Sequence, residues 1–206
     1  PALPGAPDGA PRIGLFAIPG TAGFESAGSM RYLFERVWGV PYAEVSAEQI
    51  KAGLSGIDVL LVPDGYAKGG LQALGAKGQK ALLAWVEGGG RYVGYRGGTE
   101  LAVGAGLSTA VLQATHTAAP GTLIRVVLDP ASPLAAGIPK ATESTPTAWL
   151  MYDNDDRMSL GLGSTVARFP AQGEPAFHTS GLAIGVDELA GSAAIVDEPV
   201  GNGRSV

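Results

Sequence analysis

From Arg12 onward, apolar and polar positions change period along the chain. "RIGLFAI" (Arg12–Ile18) is a short apolar run with the length of a strand. After a loop, Met30, Leu33, Phe34, Val37 and Trp38 fall at i, i+3, i+4, i+7 and i+8, one face of a helix that Gly39 ends. Ser26 or Ser29 stands ready to cap it. "PYAEV" follows as a second strand. "SAEQIKAGL" then reads as a short helix with a Ser46/Gln49 capping box. "IDVLLVPDG" is apolar throughout, as a strand buried on both faces should be. A helix from about Leu74 to Glu87 buries Leu74, Ala81, Leu82, Trp85 and Val86 and stops at Gly88-Gly89-Gly90. "RYVGY" is a fourth strand and "TELAVGAGL" a helix.

This alternation predicts an α/β three-layer sandwich with a mainly parallel sheet, its strands near 12–18, 41–45, 57–63 and 91–95. After Leu107 the helix signal fades. "TLIRVVLD", "STVARFPA" and "SAAIVDEPV" read as additional strands that extend or flank the main sheet. Residues 1–11, rich in Pro, Ala and Gly, read as an inter-domain linker, and 12–206 as one domain. The last residues give a strand, a Gly-Asn-Gly turn and the opening of another strand, so the chain is expected to continue beyond them.

Composition narrows the function. The chain has 206 residues, 46% hydrophobic and 16% charged, enough for a real core. A net charge of −5 argues against nucleic acid or an anionic membrane as partner. No apolar stretch approaches the roughly 20 residues of a membrane span. The absence of cysteine removes thiolate catalysis, disulfides and Cys-ligated zinc together.

In an open parallel sheet, ligands sit outside the carboxyl ends of the strands. Three loops are expected there: Pro19–Ser29, Pro63–Gly70 and Arg96–Thr99. The third belongs to "GRYVGYRGGTELA", a strand, a sharp glycine turn and a helix. That is the shape of a nucleophile elbow, with its glycines at Gly94, Gly97 and Gly98. Its central residue is Arg96, and a guanidinium is no nucleophile. Glu25 is expected at the same sheet end, as an exposed loop acid or as the partner of Arg96, with Asp64 as second choice.

Other motifs carry less. Gly161-Leu162-Gly163 lacks the third glycine of a dinucleotide fingerprint, and Ala76 breaks a phosphate loop over Gly70–Lys77. His116 and His178 have no second ligand at a metal spacing. "YDNDD" (Tyr152–Asp156) places Arg157 and Met158 where a calcium loop needs an acid and a glycine, so it reads as a solvated acidic turn. No catalytic residue, metal ligand or cofactor is assigned to this chain.

With the elbow after the fourth strand and "LLVPDG" ending the third, the chain resembles the class I glutamine amidotransferase-like domains, a flavodoxin-like fold. In that family the elbow carries a cysteine and the turn after the preceding strand helps bind the oxyanion. Here Arg96 stands at the cysteine's position and Val62-Pro63-Asp64-Gly65 at the turn. Neither histidine matches the family's catalytic one, so the resemblance does not imply amidotransferase activity. The expected pseudo-active site is Arg96, Glu25, Asp64, Gly65, Gly97 and Gly98.

A second resemblance runs over most of the chain from Arg12. "FESAGSMRYLFE", "IDVLLVPDG", "LLAWVEGGGRYVGYRGG", "TLIRVVLDPASPLAAGIP" and "ELAGSAAIVDEPVGNGR" look like segments of an accessory domain behind the catalytic domain of large secreted bacterial zinc carboxypeptidases of the A/T type. It implies an N-terminal peptidase domain as partner, zinc in that domain only, and an extracellular location. This chain has no His-x-x-Glu to hold that zinc. The leading expectation is a non-catalytic accessory domain serving packing, stability or substrate presentation. The alternatives are a small-ligand module in which Arg96 holds an anion, and a hydrolase using Thr21 or Thr99.

Overall fold

The computed structural model describes residues 9–20, 24–136, 138, 146–153, 156–174 and 178–206; the side chains of 24, 25, 178 and 179 are outside the description. Most of the expected linker, 1–8, also lies outside it. The chain forms two compact units, Pro1–Ser108 with Glu198–Val206, and Thr109–Asp197.

The first unit carries the parallel sheet. Strands β1 (Ile13–Leu15), β2 (Tyr42–Glu44), β3 (Val59–Val62) and β4 (Arg91–Gly94) pair in parallel in the order β2-β1-β3-β4. Gly203–Ser205 adds a further parallel strand beside β4, with Arg204 opposite Arg91. The all-apolar β3 lies centrally, and Leu60 and Val62 are fully buried. Around it pack Phe16, Ile50, Leu74, Leu82, Val86, Leu101 and the whole of Tyr92.

The helices follow local signals with two exceptions. Helix α2 (Ala47–Lys51) has the expected capping box: Gln49 N–H donates to Ser46 Oγ and Ser46 N–H to Gln49 Oε1. Such a cap is worth about 1 kcal/mol. Helix α3 (Ala67–Glu87) begins seven residues earlier than the pattern suggests, because two helical stretches run together across Gly75. Gly75 has φ +57°, a left-handed conformation that glycine takes at little cost.

The other exception is α1 (Phe24–Tyr32), which continues as π-helix over Leu33–Trp38. The i→i+5 winding turns residues away from the face that 3.6-residue spacing assigns. Phe34 stays buried, while Val37 and Trp38 are more than half exposed. The five-residue apolar face is corrected to that extent. Helix α4 (Gly97–Gly104) follows β4 directly. No helix among the described residues is long and apolar enough to cross a membrane.

The second unit is antiparallel. We number its strands β5 (Val111–Gln113), β6 (Thr122–Leu128), β7 (Thr147–Tyr152), β8 (Arg157–Ser159), β9 (Ser164–Arg168), β10 (His178–Ser180) and β11 (Ala193–Val200); the strand beside β4, Gly203–Ser205, is then β12. β6 pairs with β7, β9 and β10, and β9 and β8 pair with the first residues of β11. The last residues of β11, Glu198–Val200, belong to the first unit and pair with β12. Ile124, Val126 and Leu128 alternate into a core with Tyr152, Phe169 and Leu189.

At the amino end of the parallel sheet, Arg12 grips Asp58. Its N–H and Nε–H donate to Asp58 Oδ2 at 2.8 and 2.9 Å, and Nη2 donates to Oδ1 at 2.7 Å. These bonds hold the Asp58 carboxyl down at about 2. A depressed carboxyl stabilises the fold above its unfolded value near 4, and that support is lost as pH falls toward 2. In urea titrations Asp58→Asn should therefore flatten the fall in stability between pH 4 and 2. Glu174, held down to about 2 by Arg168, acts with the same sign in the second unit.

Candidate functional site

Strand β4 ends at Gly94, and the chain turns within two residues to enter α4. Tyr95 N–H donates to Val62 O at 3.0 Å, which keeps the turn against the end of β3. Arg96 sits at φ +47°, ψ −109°, one of two non-glycine residues with positive φ among the described residues. A side chain held there is strained, as the central residue of an elbow is.

The glycines around it are dictated by contact. A Cβ on Gly97 would run into the backbone carbonyl of Gly65, and one on Gly98 into that of Val62. A Cβ on Gly94 would lie 2.7 Å from the Gly98 carbonyl carbon. Helix α4 thus starts in backbone contact with the turn after β3. Gly65 is itself packed, since its Cβ would lie 2.7 Å from Ile18 Cβ.

Asp64 ties the turn together. Its Oδ1 accepts from Gly97 N–H at 3.0 Å, and its Oδ2 lies 3.2 Å from Arg96 Nη1. Its own N–H donates to Ser26 Oγ at 3.2 Å. The carboxylate therefore caps the first turn of α4 from another loop, where the helix dipole favours negative charge. Arg96 is 41% exposed and Asp64 28%, so the ion pair itself is worth under roughly 1 kcal/mol. Asp64→Ala loses both the cap and the pair, and should cost about 1–2 kcal/mol in urea unfolding.

Beneath the elbow, the buried Tyr92 hydroxyl donates to Gly98 O at 2.6 Å. Burial pushes the Tyr92 phenol well above its usual value. A raised phenol leaves stability intact below the unfolded value near 10 and removes it as pH rises further. Tyr42 behaves alike, pushed up to about 12 by burial and by its bond to Glu35. Unfolding midpoints should fall above pH 10, and less steeply in Tyr92→Phe.

Asp64, Gly65, Arg96, Gly97 and Gly98 thus meet at the carboxyl end of the sheet, and Asp64, the second expected partner, pairs with Arg96. The backbone of Glu25 lies in α1; its side chain is outside the described residues. Ser26 and Ser29, the two expected caps, both lie inside α1 rather than before it, and the Ser26 hydroxyl accepts from the Asp64 loop instead. Thr99 Oγ1 donates to Gly94 O at 3.2 Å, a structural bond within the turn. Thr21 lies outside the described residues.

Both histidines belong to the second unit. His116 is 94% exposed, with Nδ1 3.5 Å from Glu188 Oε1. His178 has its backbone in β10 and its side chain outside the description. In the first unit a serine hydroxyl meets an acid: Ser108 Oγ donates to the buried Glu198 Oε2 at 2.9 Å. No imidazole belongs to that unit to complete a relay. Of "YDNDD", residues 154 and 155 are outside the description, and the Tyr152 hydroxyl meets Thr117 Oγ1 at 3.0 Å. No group of three His, Cys, Asp or Glu able to hold a metal occurs among the described residues.

No family model matches the sequence, and no curated protein is similar to it. Solved structures are similar in fold. PurLQS from Thermotoga maritima aligns at TM-score 0.59 and 13% identity over 95% of this chain and 85% of that one. A glutamine amidotransferase from the same organism aligns at 0.53 and 12%, over 95% and 74%. An exo-β-1,4-mannosidase from Opitutaceae bacterium strain TAV5 aligns at 0.56 and 14%, over 96% of this chain and 31% of its own. The chain has the class I glutamine amidotransferase-like fold, a three-layer α/β sandwich of flavodoxin-like order.

Proposed function

We propose that this chain is a non-catalytic accessory domain of a larger hydrolase, of the secreted zinc carboxypeptidase type. One observation carries the non-catalytic part: Gly97 N–H is occupied by the Asp64 carboxylate. In an elbow enzyme the N–H after the nucleophile stabilises the developing oxyanion. A carboxylate already bound there repels a second negative charge, and Arg96 supplies no electron pair for attack. The same carboxylate faces the Arg96 guanidinium, which weighs against an anion-binding role for Arg96. The mannosidase alignment supports the idea of a domain within a larger enzyme, since it spans about a third of that chain. The peptidase partner, its zinc and secretion rest on the segment resemblance. They predict a zinc peptidase domain encoded upstream in the same gene, and a gene without one overturns that part.

The activity test uses glutamine and a nitrophenyl ester with the whole chain. Neither should turn over above the buffer rate. Turnover abolished by Ser26→Ala, Thr99→Ala or Ser108→Ala would show a working hydroxyl nucleophile and end the accessory-domain reading.

A further inference from the structure

Strand β7 (Thr147–Tyr152) pairs with β6 along one side, and among the described residues nothing pairs with its other side. The register shows which groups face outward. Leu128 N–H donates to Pro146 O at 2.9 Å, one step beyond the Val127–Thr147 pair, so Leu128 and Pro146 stand opposite each other as a hydrogen-bonded pair. Such pairs alternate along an antiparallel ladder. Ala148, Leu150 and Tyr152 therefore direct their backbone groups to Val126, Ile124 and Thr122. Thr147, Trp149 and Met151 turn their N–H and C=O groups to the open edge.

The side chains divide in the same way. Tyr152 is buried, and Ala148 and Leu150 pack on the core of the second unit. Trp149 and Met151 lie on the opposite face, 52% and 74% exposed, with the exposed Leu123 of β6 across from Met151. Folded proteins protect such an edge with a charge, a proline or a bulge. "TAWLMY" holds no charge and no proline, and its pairing with β6 runs without a shift of register. The edge thus offers three N–H and three C=O groups beside an apolar strip, which is what another strand requires.

We propose that β7 pairs antiparallel with β7 of a second copy, so that the chain forms a twofold dimer through its second unit. One register uses every outward group: Trp149 opposite Trp149 of the second copy, with Thr147 opposite Met151 on either side of it. A copy of the same strand brings no charge against the apolar strip, although the whole chain carries −5. The nearest acid in sequence is Asp153. The antiparallel sense holds its two copies at opposite ends of the paired strands, about 27 Å apart along them. A parallel pair would set them side by side, where like charges repel. Trp149 falls at the centre of the contact, the position from which aromatic residues dominate binding. The dimer stands independently of the elbow and of the function proposed for it.

The absence of cysteine makes the test direct, since each variant of the full chain then carries a single thiol. Thr147→Cys and Met151→Cys, mixed and mildly oxidised, should give a disulfide-linked dimer. Residues of a hydrogen-bonded pair stand about 5.5 Å apart at Cα, within disulfide reach. Either variant alone holds its two thiols about 14 Å apart and should cross-link at least about tenfold less. In analytical ultracentrifugation the wild-type chain should show a monomer–dimer equilibrium, and Trp149→Lys should weaken the dimer at least about tenfold. Trp149 is more than half exposed, so the fold tolerates the lysine, and unchanged amide spectra of the core verify it. A wild-type chain that is monomeric at about 1 mM overturns the proposal. So does a dimer that cross-links equally in the single variants and in their mixture, or one that Trp149→Lys leaves unchanged.

Discussion

Gly97→Ala should destabilise the protein by about 3 kcal/mol, because the added methyl meets a backbone carbonyl and not a movable side chain. Gly65 O cannot rotate away. Either the turn after β3 or the first turn of α4 must shift, and a shift of α4 also lengthens the bond from Gly97 N–H to Asp64. Gly28→Ala is the control. It lies within α1, and a Cβ there meets nothing within 4 Å. That change should stabilise by up to about 1 kcal/mol through helix propensity. Urea unfolding of both variants decides the matter. A Gly97→Ala protein within 1 kcal/mol of wild type, roughly the spread of surface substitutions, would remove the contact from the account.

Tyr92→Ala should cost about 3–5 kcal/mol, the range for deleting a large buried ring. Tyr92 is fully buried between β3, β12 and the core helices, and its hydroxyl is the donor to Gly98 O. Tyr92→Phe separates the two contributions. It keeps the ring and leaves the Gly98 carbonyl without that donor, at about 1–3 kcal/mol. If Tyr92→Phe costs as much as Tyr92→Ala, the hydroxyl governs the elbow; if it costs nothing, the ring alone does.

The parallel core was legible because its signals are local. Four apolar runs, separated by amphipathic stretches and glycine stops, mark β1 to β4, and the Ser46/Gln49 cap needs only a three-residue spacing. The elbow was legible for the same reason, as Gly94, Gly97 and Gly98 lie within five residues. Its wiring was not. Asp64 reaches Gly97 across 33 positions and Ser26 reaches Asp64 across 38, and no periodicity encodes such contacts. Sequence order placed Glu25 and Asp64 at one sheet end without ranking their distance to Arg96. The π-helical winding at Leu33–Trp38 escaped because its residues fit an ordinary helix equally well. Strand β7 is different: "TAWLMY" carries aromatic and β-favouring residues and no proline, a signal available but overshadowed by the acidic turn after it.

The place of β12 bears on biosynthesis. Its partner β4 is made first, and β12 follows only after the whole second unit. At about 5–20 residues per second, β4 waits roughly 5–20 s on the ribosome with one edge unpaired. An open strand edge is a template for other chains. A nascent chain stalled within the second unit would therefore be the form of this protein most prone to aggregate, and the one in greatest need of a chaperone.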